Sequence, residues 1–417
     1  MVPKGWTLGT LKDLADTIMG YAFRSEDFVP TGIPLLRMGN LYQNTLDLNR
    51  NPVYLPDSFK VDYKRFLVSP GDLVMSMTGT MGKRDYGFTV EIPSNTQCSL
   101  LNQRVLKIVP KNNASSGYIL NLLRSELILS VLYSFPGGTK QANLSAKQLQ
   151  ELPVLIPPEL EQKKIAQILS TWDKAISVTE KLLTNSQQQK KALMQQLLTG
   201  KKRLLDENGV RFSGDWNSSK LGDLFNFKKG KGLSKSDLSE SGINKCILYG
   251  ELYTKYAEIA YEVISRTNSS DGQLSEPGDI LLPASTTTSG IDLANATALS
   301  EGGILLGGDI NILRPKVRLS SPFLAYFLTH MKKNEISSRA QGITIIHLYG
   351  GDLKSIDIVL PSTVQEQQKI ATVLSAADAE ISTLEKKLAC LRDEKKALMQ
   401  QLLTGKRRVK VDEAVAV

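Results

Sequence analysis

The sequence predicts an α+β fold: two mixed α/β globular domains separated by two long helices that form an antiparallel coiled coil, with approximate twofold, circular internal symmetry. Three observations lead to this prediction. A segment of 43 residues recurs 205 positions later in the chain. Both copies carry apolar residues at heptad spacing. The two remaining segments, each of about 150 residues, mix short strand-like runs with helical ones.

Residues 1–155 are the first predicted domain. The runs VDYKRFLVSPGDLVMSM and NQRVLKIVP predict strands around a Pro-Gly turn. GYILNLLRSELILSVLYS predicts a helix. LPVLIP predicts a strand that leads into the first long helix. Together these elements indicate a small mixed domain with its own core.

Residues 156–203 are the first repeated segment. EQKKIAQILSTWDKAISVTEKLL and the later KKALMQQLLTGKKR recur downstream, and 26 of the 43 positions aligned between 161–203 and 366–408 are identical. Two copies at a period near half the chain indicate a duplicated unit rather than a solenoid array. Prolines precede the segment and Gly200 ends it, which predicts one helix roughly 55 Å long.

Residues 206–360 are the second predicted domain, residues 361–408 are the second repeated helix, and residues 409–417 are a tail. Trp6 and Trp216 open the two domains, and each is followed by Leu-x-Asp-Leu. Further matches, such as PGDL in the first domain and PGDI in the second, keep the same order with slightly different offsets. The second domain is therefore a diverged copy whose insertions lie in loops.

The repeated helices share an apolar seam of about five heptads, which neither can bury alone. A duplicated chain that closes on itself makes the two helices antiparallel, with Trp172 facing the region of Lys395 and Lys190 facing that of Ala377. The alternative is that each helix packs only on its own domain. The predicted packing residues are Ile165, Leu169, Trp172, Ile176, Leu183, Leu193, Leu197, Ile370, Leu374, Ile381, Leu384, Leu388, Leu391, Leu398 and Leu402.

Composition narrows the class of protein. Lys and Arg number 51 against 42 Asp and Glu, a net charge of +9. A basic chain favours polyanionic partners such as nucleic acid, although the bias is mild and residues 206–360 are slightly acidic. The chain has no run of the ~18 apolar residues that a membrane span needs, and its first residues lack the apolar core of a signal peptide. We expect a cytoplasmic protein with no membrane partner.

Residues that could form a catalytic or metal site are sparse. The cysteines Cys98, Cys246 and Cys390 and the histidines His330 and His347 lie far apart, without disulfide or zinc-ligand spacing. Both histidines belong to the second half only, and we expect each to be a helix or core residue. The phosphate-binding GxxxxGK[ST] loop is absent from the sequence. We therefore expect no catalytic site, bound cofactor or metal in this chain.

Several loops combine glycine, basic and hydroxyl residues, which suits DNA. Backbone amides, Lys and Arg can contact phosphates, and Arg, Gln and Asn can reach base edges. For each residue the alternative is an exposed loop side chain without a binding role. The candidates are Arg24, Arg37, Lys83, Arg84, Lys140 and Gln141 in the first half, and Lys228, Lys229, Lys231, Lys235, Thr286, Thr287, Gln341 and Thr344 in the second.

The layout and the doubled pattern EQxKIAxxLSxxDxxI, followed by LxxxKKALMQQLLTGKxR, closely resemble the DNA-specificity subunit of type I restriction–modification systems. The first domain also resembles the family's target-recognition domain, through GYAFRSEDF, SPGDLVMSMTGTMG, LLNQRVLKI and GGTKQANLS. The second domain departs from that pattern, with KGKGLSKSDL and STTTSG at two of these places. The doubled pattern is carried by Glu161, Gln162, Lys164, Ile165, Ala166, Leu169, Ser170, Asp173 and Ile176, and again by Glu366, Gln367, Lys369, Ile370, Ala371, Leu374, Ser375, Asp378 and Ile381.

The resemblance implies a non-catalytic subunit that binds double-stranded DNA. Each domain would read one half of a split, asymmetric site, and the helices would set the spacer and dock two methyltransferase subunits. S-adenosylmethionine, ATP and Mg would act only on those partners and on the restriction subunits that join them.

Three other classes of protein remain as alternatives. A stand-alone bipartite DNA-binding protein, such as a repressor, would bind its site without partners; the mild net charge disfavours it. A coiled-coil scaffold would not need two diverged domains. A pseudo-dimeric enzyme would repeat its catalytic groups in both halves, which this sequence does not.

Overall fold

A computed structural model of the chain describes residues 2–135 and 141–411. They fall into two compact units, one within Met1–Lys181 and Lys386–Val417, the other within Leu182–Glu385. Each unit holds one globular domain and about half of each long helix. The domain limits expected from the sequence stay a prediction, since the units divide the chain inside the helices.

The first unit is a mixed domain of short elements. Its helices are α1 (Leu11–Leu14), α2 (Phe59–Asp62), α3 (Ser116–Arg124), α4 (Glu126–Ser134) and α5 (Ala146–Gln150), followed by the long helix α6 (Glu159–Leu197), which continues into the second unit. Its strands are β1 (Thr7–Thr10), β2 (Ala15–Met19), β3 (Ile33–Leu36), β4 (Leu41–Tyr42), β5 (Thr45–Leu46), β6 (Tyr54–Leu55), β7 (Leu67–Val68), β8 (Leu73–Ser76), β9 (Thr78–Thr80), β10 (Thr89–Glu91), β11 (Ser99–Leu101), β12 (Val105–Pro110), β13 (Gln141–Asn143) and β14 (Pro153–Ile156).

The second unit repeats this plan. Its helices are α7 (Leu221–Leu224), α8 (Glu251–Thr254), α9 (Ser321–Met331), α10 (Lys333–Ser338) and α11 (Gly350–Leu353), followed by the long helix α12 (Val364–Leu403), which continues into the first unit. Its strands are β15 (Trp216–Lys220), β16 (Phe225–Lys229), β17 (Asn244–Ile247), β18 (Ile259–Ala260), β19 (Arg266–Thr267), β20 (Gln273–Leu274), β21 (Ile280–Pro283), β22 (Ser285–Thr286), β23 (Thr297–Leu299), β24 (Leu305–Leu306), β25 (Ile310–Pro315), β26 (Ile346–His347) and β27 (Asp357–Pro361).

Sheet topology shows the internal duplication. Read from its first strand, the main sheet of the first domain has the order β2-β12-β8-β10. That of the second domain has the order β16-β25-β21-β23, with β18 added at the far edge. In each domain the first strand pairs antiparallel with the last, β1 with β14 and β15 with β27. This pairing holds the entrance of each domain beside its exit into a long helix.

One predicted helix is two helices in the structure. GYILNLLRSELILSVLYS divides into α3 and α4 at Ser125, which has an extended backbone (φ −78°, ψ 149°). The hydroxyl and the N–H of Ser125 both donate to the carbonyl of Leu122. A serine that bonds the preceding turn in this way competes with the helical ladder and stops it. The counterpart in the second domain also divides, between α9 and α10 at Lys332.

The two long helices pack antiparallel, which confirms the predicted fold class. In the first unit Lys395 Nζ lies 2.6 Å from Asp173 Oδ1, next to Trp172. In the second unit the equivalent Lys190 pairs with Asp378, next to Ala377. Each pair joins the start of one helix to the end of the other, in the register expected from the sequence. The predicted packing residues are all buried or half-buried.

The helices also pack on the domains of their own units. Ile165 and Leu169 of α6 are buried in the same cluster as Tyr118 of α3. In the second unit, Ile370 and Leu374 of α12 are buried in the cluster that contains Phe323 of α9. Each helix therefore buries one face on its partner helix and another on a domain, so the alternative that each packs only on its own domain is wrong.

A buried clamp closes each end of the helix pair. Glu366, 1% exposed, accepts from Arg203 Nε and from Arg203 Nη2 at 2.7 Å. These hydrogen bonds raise the pKa of Arg203 above its usual value. The repeat in the first unit joins Glu161 to Arg408, with Arg408 Nε 3.1 Å from the carboxylate. Each arginine also donates to a backbone carbonyl just before the opening tryptophan of its domain, that of Lys4 or Gly214.

The glutamine that follows each clamp glutamate ties the long helix to its domain. Gln162 Oε1 accepts from the N–H of Ser115, and Gln367 Oε1 accepts from that of Ser320, both at 3.0 Å. Ser115 and Ser320 are the N-cap residues of α3 and α9. The repeated Glu-Gln pair thus links each long helix to two neighbours. The glutamate binds the arginine that follows the other long helix, and the glutamine binds the N-cap of a domain helix.

None of the helices in the described ranges 2–135 and 141–411 is long and apolar enough to cross a membrane. This agrees with the sequence, in which apolar runs are short.

We expect the clamp to contribute strongly to stability. Replacing Glu366 with alanine leaves the Arg203 guanidinium without its carboxylate, and breaking a buried ion pair costs about 3–5 kcal/mol. Since Arg203 itself is one-fifth exposed, we expect a loss near 3 kcal/mol in the free energy of unfolding, measured by urea denaturation.

The exposed pair Lys220–Asp357 in the same unit provides the control. Because solvent screens exposed ion pairs and they contribute little to stability, Asp357→Ala should change the free energy of unfolding little. Equal losses for Glu366→Ala and Asp357→Ala would contradict a structural role for the clamp.

Candidate nucleic-acid interface

The structure places the predicted DNA-contact residues at different depths. Arg37 and Gln141 are half-buried, and Lys140 lies outside the described residues. Thr286 is fully buried and shares a hydrogen bond with Thr288. Of the two predicted threonines, Thr286 and Thr287, only Thr287 is therefore accessible. The exposed members of the predicted set are Arg24, Lys83, Arg84, Lys228, Lys229, Lys231, Lys235, Thr287, Gln341 and Thr344.

Arg84 is engaged within the first domain. Its Nη1 donates to both carboxylate oxygens of Glu126, at 3.0 and 3.3 Å. Its guanidinium also lies 5.0 Å from the ring centre of Tyr133. Binding a phosphate would require Arg84 to compete with these contacts.

Arg37 belongs to a pocket that we call the arginine pocket, of about 480 Å³. Three separate segments of the first domain contribute to it: the end of β3, the loop after β5, and the turn between β11 and β12. The side chains are cationic or neutral throughout. The lining residues are Arg37, Met38, Gly39, Asn40, Arg50, Asn51, Asn102, Gln103 and Arg104.

Asn40 builds the wall of this pocket. It is 3% exposed, and its Oδ1 accepts from the N–H of Arg37 at 2.9 Å. Its Nδ2 donates to the carbonyls of Asp47 and Arg50 at 2.8 and 3.0 Å. One buried amide therefore fixes both the segment of Arg37 and the loop of Arg50. The loop reverses through Asn51, whose φ of 50° is one that asparagine tolerates.

The corresponding place in the second domain has different chemistry. Leu248 and Glu251 stand where the first domain has Arg37 and Asn40, counting from the matching Gly39 and Gly250. Glu251 Oε2 accepts from the N–H of Leu248 at 2.8 Å, the same backbone link in a carboxylate form. Its Oε1 binds Lys255 at 2.7 Å. The same turn thus carries arginine in one domain and a neutralised acid in the other.

Basic residues of the second domain meet in another pocket, of about 230 Å³, which we call the lysine pocket. Lys228, Lys229 and Lys354 line it together with His347 and Tyr349. The ring centres of His347 and Tyr349 lie 6.2 Å apart at an interplanar angle of 17°. Asp309 also lines the pocket, 3.8 Å from Lys229. Lysines beside the half-buried His347 and the exposed Tyr349 suit a polyanion that carries bases.

A tight loop, residues 342–346, adjoins the lysine pocket. The backbones of Gln341 and His347 bond each other in both directions, at 2.8 and 2.7 Å. Gly342 adopts φ +124°, and a Cβ there would meet the carbonyl of Ile345 at 2.1 Å, so the loop requires glycine. Ile343 is 97% exposed. Predicted residues Gln341 and Thr344 flank this apolar tip.

Sequence reasoning missed several residues of both pockets. Arg50, Asn51, Arg104 and Lys354 are pocket residues that the sequence did not single out. The signal for one group was present: the polar run Asn102–Gln103–Arg104 interrupts two apolar strands. The sequence predicts that this run is part of a strand, whereas in the structure it forms the turn before β12.

The histidines and cysteines differ in their surroundings. His330 lies on helix α9, as expected for a helix residue. Its Nε2 lies 2.5 Å from Glu258 Oε1. His347 is instead a strand residue at the edge of the lysine pocket, so that expectation was wrong for it. Burial raises the pKa of the Cys246 thiol to about 11. Across residues 2–135 and 141–411, acidic, histidine and cysteine side chains form no cluster of three suited to a metal.

The long helices expose side chains that are identical in the two copies. Core packing does not demand identity at exposed positions, so these residues are a second candidate surface, which we call the repeated helix surface. Its matched pairs are Lys164 and Lys369, Lys181 and Lys386, Lys191 and Lys396, Ala192 and Ala397, Gln195 and Gln400, Gln196 and Gln401, and Lys201 and Lys406.

Comparison with known proteins adds independent findings. Residues 3–185 and 213–391 match the family model described as type I restriction modification DNA specificity domain. A putative type I restriction enzyme MjaX specificity subunit of Methanocaldococcus jannaschii is 26% identical over 98% of this chain and 95% of its own length. The MjaVIII specificity subunit of the same organism is 25% identical over 84% of this chain and 82% of its own length.

Solved structures show the same fold. The S subunit of a type I restriction–modification system from M. genitalium superposes with a TM-score of 0.61 at 17% identity, covering 96% of both chains. A chain from a study of the assembly and conformational transition of the type I R-M system gives 0.53 at 14% identity, covering 98% of this chain and 100% of that one.

The family matches span both domains, and the curated relatives are named specificity subunits, which are non-catalytic; the resemblance and the expectation that the chain is not an enzyme are confirmed. The chain therefore belongs to the type I restriction–modification specificity subunits, and it carries two copies of the DNA-specificity domain.

Proposed function

We propose that this chain is the sequence-reading component of a type I restriction–modification complex, in which each domain reads one half of a split, asymmetric DNA site. The observation that carries the proposal is the contrast between conserved helices and diverged pockets within one chain. The arginine pocket of the first domain has Leu248 and Glu251 at the equivalent place in the second. Two domains that share a scaffold but differ in their pockets are suited to two half-sites of different sequence.

The long helices set the spacer between the half-sites in this proposal. Helix α6 has 39 residues and α12 has 40, each without a break. A continuous helix has a fixed rise of about 1.5 Å per residue. The ion pairs Lys190–Asp378 and Lys395–Asp173 fix the register of the two helices against sliding.

The helices also dock two methyltransferase subunits in this proposal. The repeated helix surface supports it, because the same exposed lysines and glutamines occur twice. Restriction subunits would join through that complex. S-adenosylmethionine, ATP and Mg would act on those partners, and the chain itself would bind no cofactor; its place of action would be the cytoplasm.

Replacing residues 1–155 with the equivalent domain of the MjaX relative tests the division of labour. We expect one half of the methylated site to change and the other half to persist, because each domain carries its own pocket. Sequencing of methyladenine in a host that expresses the hybrid with its partners measures this. A change in both halves would count against independent reading.

Lengthening the helices tests the spacer. One heptad inserted in each helix at Leu183 and Leu384, which the register of the ion pairs places opposite each other, preserves the seam. It adds about 10.5 Å of helix, so we expect an unread spacer longer by about three base pairs. An unchanged spacer in methylation-site sequencing would refute the idea. A four-residue insertion, which breaks the heptad register, serves as control and should impair recognition.

Arginine on the repeated helix surface tests docking. Ala192→Arg should reduce the number of bound methyltransferase subunits from two to one, and the double variant with Ala397→Arg should bind none, as counted by native mass spectrometry. Gln188→Arg is the matched control, since this exposed residue has Asp393 at the equivalent position. Retention of two methyltransferases by the double variant would place docking elsewhere.

A further inference from the structure

We propose that the arginine pocket is an anion site that holds one backbone phosphate of the DNA half-site read by the first domain, with Arg37 and Arg104 as its main donors. The inference rests on the proposed function and deepens it, since it assigns the ligand of one pocket. It also makes the two domains electrostatically unlike, because only the first has arginine at this turn.

Charge is the first argument. Three arginines, Arg37, Arg50 and Arg104, line one pocket, and no acidic residue is among the described residues that line it. Within the described part of the chain, none of the three forms an ion pair. Like charges that share a pocket repel one another, and an anion between them offsets that repulsion.

Several other arginines of this fold are neutralised. Arg203 is paired with Glu366, and Arg314 is paired with Asp279 at 2.7 Å. Arg84 has Glu126 at 3.0 Å. Arg124 is an exception, since it donates to the backbone carbonyls of Thr89 and Asn44 instead of pairing with a carboxylate. A single arginine without a carboxylate can therefore have a structural role, but three in one pocket bring together positive charge that an anion would offset.

Arg37 has unused donor capacity. Its Nη2 donates to the carbonyl of Asn51, while its Nε is buried and has no acceptor in the structure. A guanidinium offers five N–H donors in a planar fork that matches two oxygens of a phosphate. The buried Nε is out of reach of a ligand, but the N–H groups of Nη1 and the second N–H of Nη2 have no partner among the described residues and can donate to an anion.

The pocket is also preorganised. Asn40 fixes the backbone on two sides through three hydrogen bonds. The Arg50 guanidinium lies 5.3 Å from the ring centre of Tyr42, which restrains it. Asn51, Asn102 and Gln103 add neutral amides around the cations. The segments of Arg37 and Arg50 therefore lose little conformational entropy when an anion enters.

Geometry favours a phosphate over a base edge. Bases in a duplex are read by side chains that project into a groove, whereas a phosphate projects from the duplex and fits a concave site. The lining includes no aromatic ring on which an extruded base would stack. A phosphate contact would set the position of the first domain on the duplex, and other loops would read the sequence.

The test uses the complete complex with its methyltransferase subunits and its target duplex. Affinity is measured as a function of salt for the wild type, Arg37→Ala and Arg104→Ala. Loss of one phosphate contact should reduce the slope of log K against log salt by about 0.9, which corresponds to a roughly eightfold loss at 0.1 M salt. Target and non-target duplexes should be affected alike. Arg104 is exposed, so its variant keeps the test valid if Arg37→Ala fails to fold.

Arg65→Ala is the matched control, because this exposed arginine of the same domain lies outside the pocket. A neutral methylphosphonate, introduced at each position of the duplex in turn, locates the contact. One substitution in the half-site of the first domain should weaken the wild type, and it should not weaken Arg37→Ala further.

The outcomes are distinguishable. Failure of the wild-type complex to bind any split site would contradict the proposed function. Wild-type binding with slopes unchanged in both pocket variants would overturn the phosphate assignment alone. Relaxed specificity at one base pair, with an unchanged slope, would overturn it in favour of base reading.

Discussion

The buried Glu–Arg clamp is the interaction on which the arrangement of this chain depends. Each clamp glutamate begins one long helix, and its arginine follows the end of the other, as in Glu366 with Arg203. A carboxylate that is 1% exposed must be paired, because an unpaired buried charge is strongly unfavourable. The arginine also holds the backbone at the entrance of a domain, through the carbonyl of Gly214. One ion pair thus links helix start, helix end and domain entrance.

This constraint explains which parts of the two copies stayed alike. The glutamate and arginine of each clamp contact each other through their side chains, so a change in one requires a matching change in the other. The seam is kept less strictly, since Trp172 in the first copy is Ala377 in the second. The glutamine links Gln162–Ser115 and Gln367–Ser320 are the same to 0.1 Å. The contacts of the pocket residues Arg37, Asn40 and Arg50 instead lie within the first domain. In the second domain Glu251 stands at the position of Asn40. It keeps the hydrogen bond to the backbone, while the chemistry of the neighbouring exposed side chains changes.

The symmetry is nevertheless incomplete, and the differences are local. Trp6 Nε1 donates to the clamp carboxylate of Glu161 at 3.0 Å, whereas the buried Nε1 of Trp216 has no acceptor among the described residues. Asp378 accepts from Tyr326 as well as from Lys190, while Asp173 pairs with Lys395. The two domains therefore differ in the hydrogen bonds that they form with the long helices.

How much the sequence reveals follows from the range of the interactions involved. The repeat and the heptads predicted the two helices, their direction and even the neighbourhoods of Lys190 and Lys395, because these depend on spacing along the chain. The break at Ser125 depends on one side-chain hydrogen bond and was missed. The arginine pocket unites Arg37, Arg50 and Arg104 from three segments, and local spacing does not carry that information. The spacing of residues along the chain predicts the two long helices and their pairing, whereas the pockets depend on tertiary contacts between distant segments.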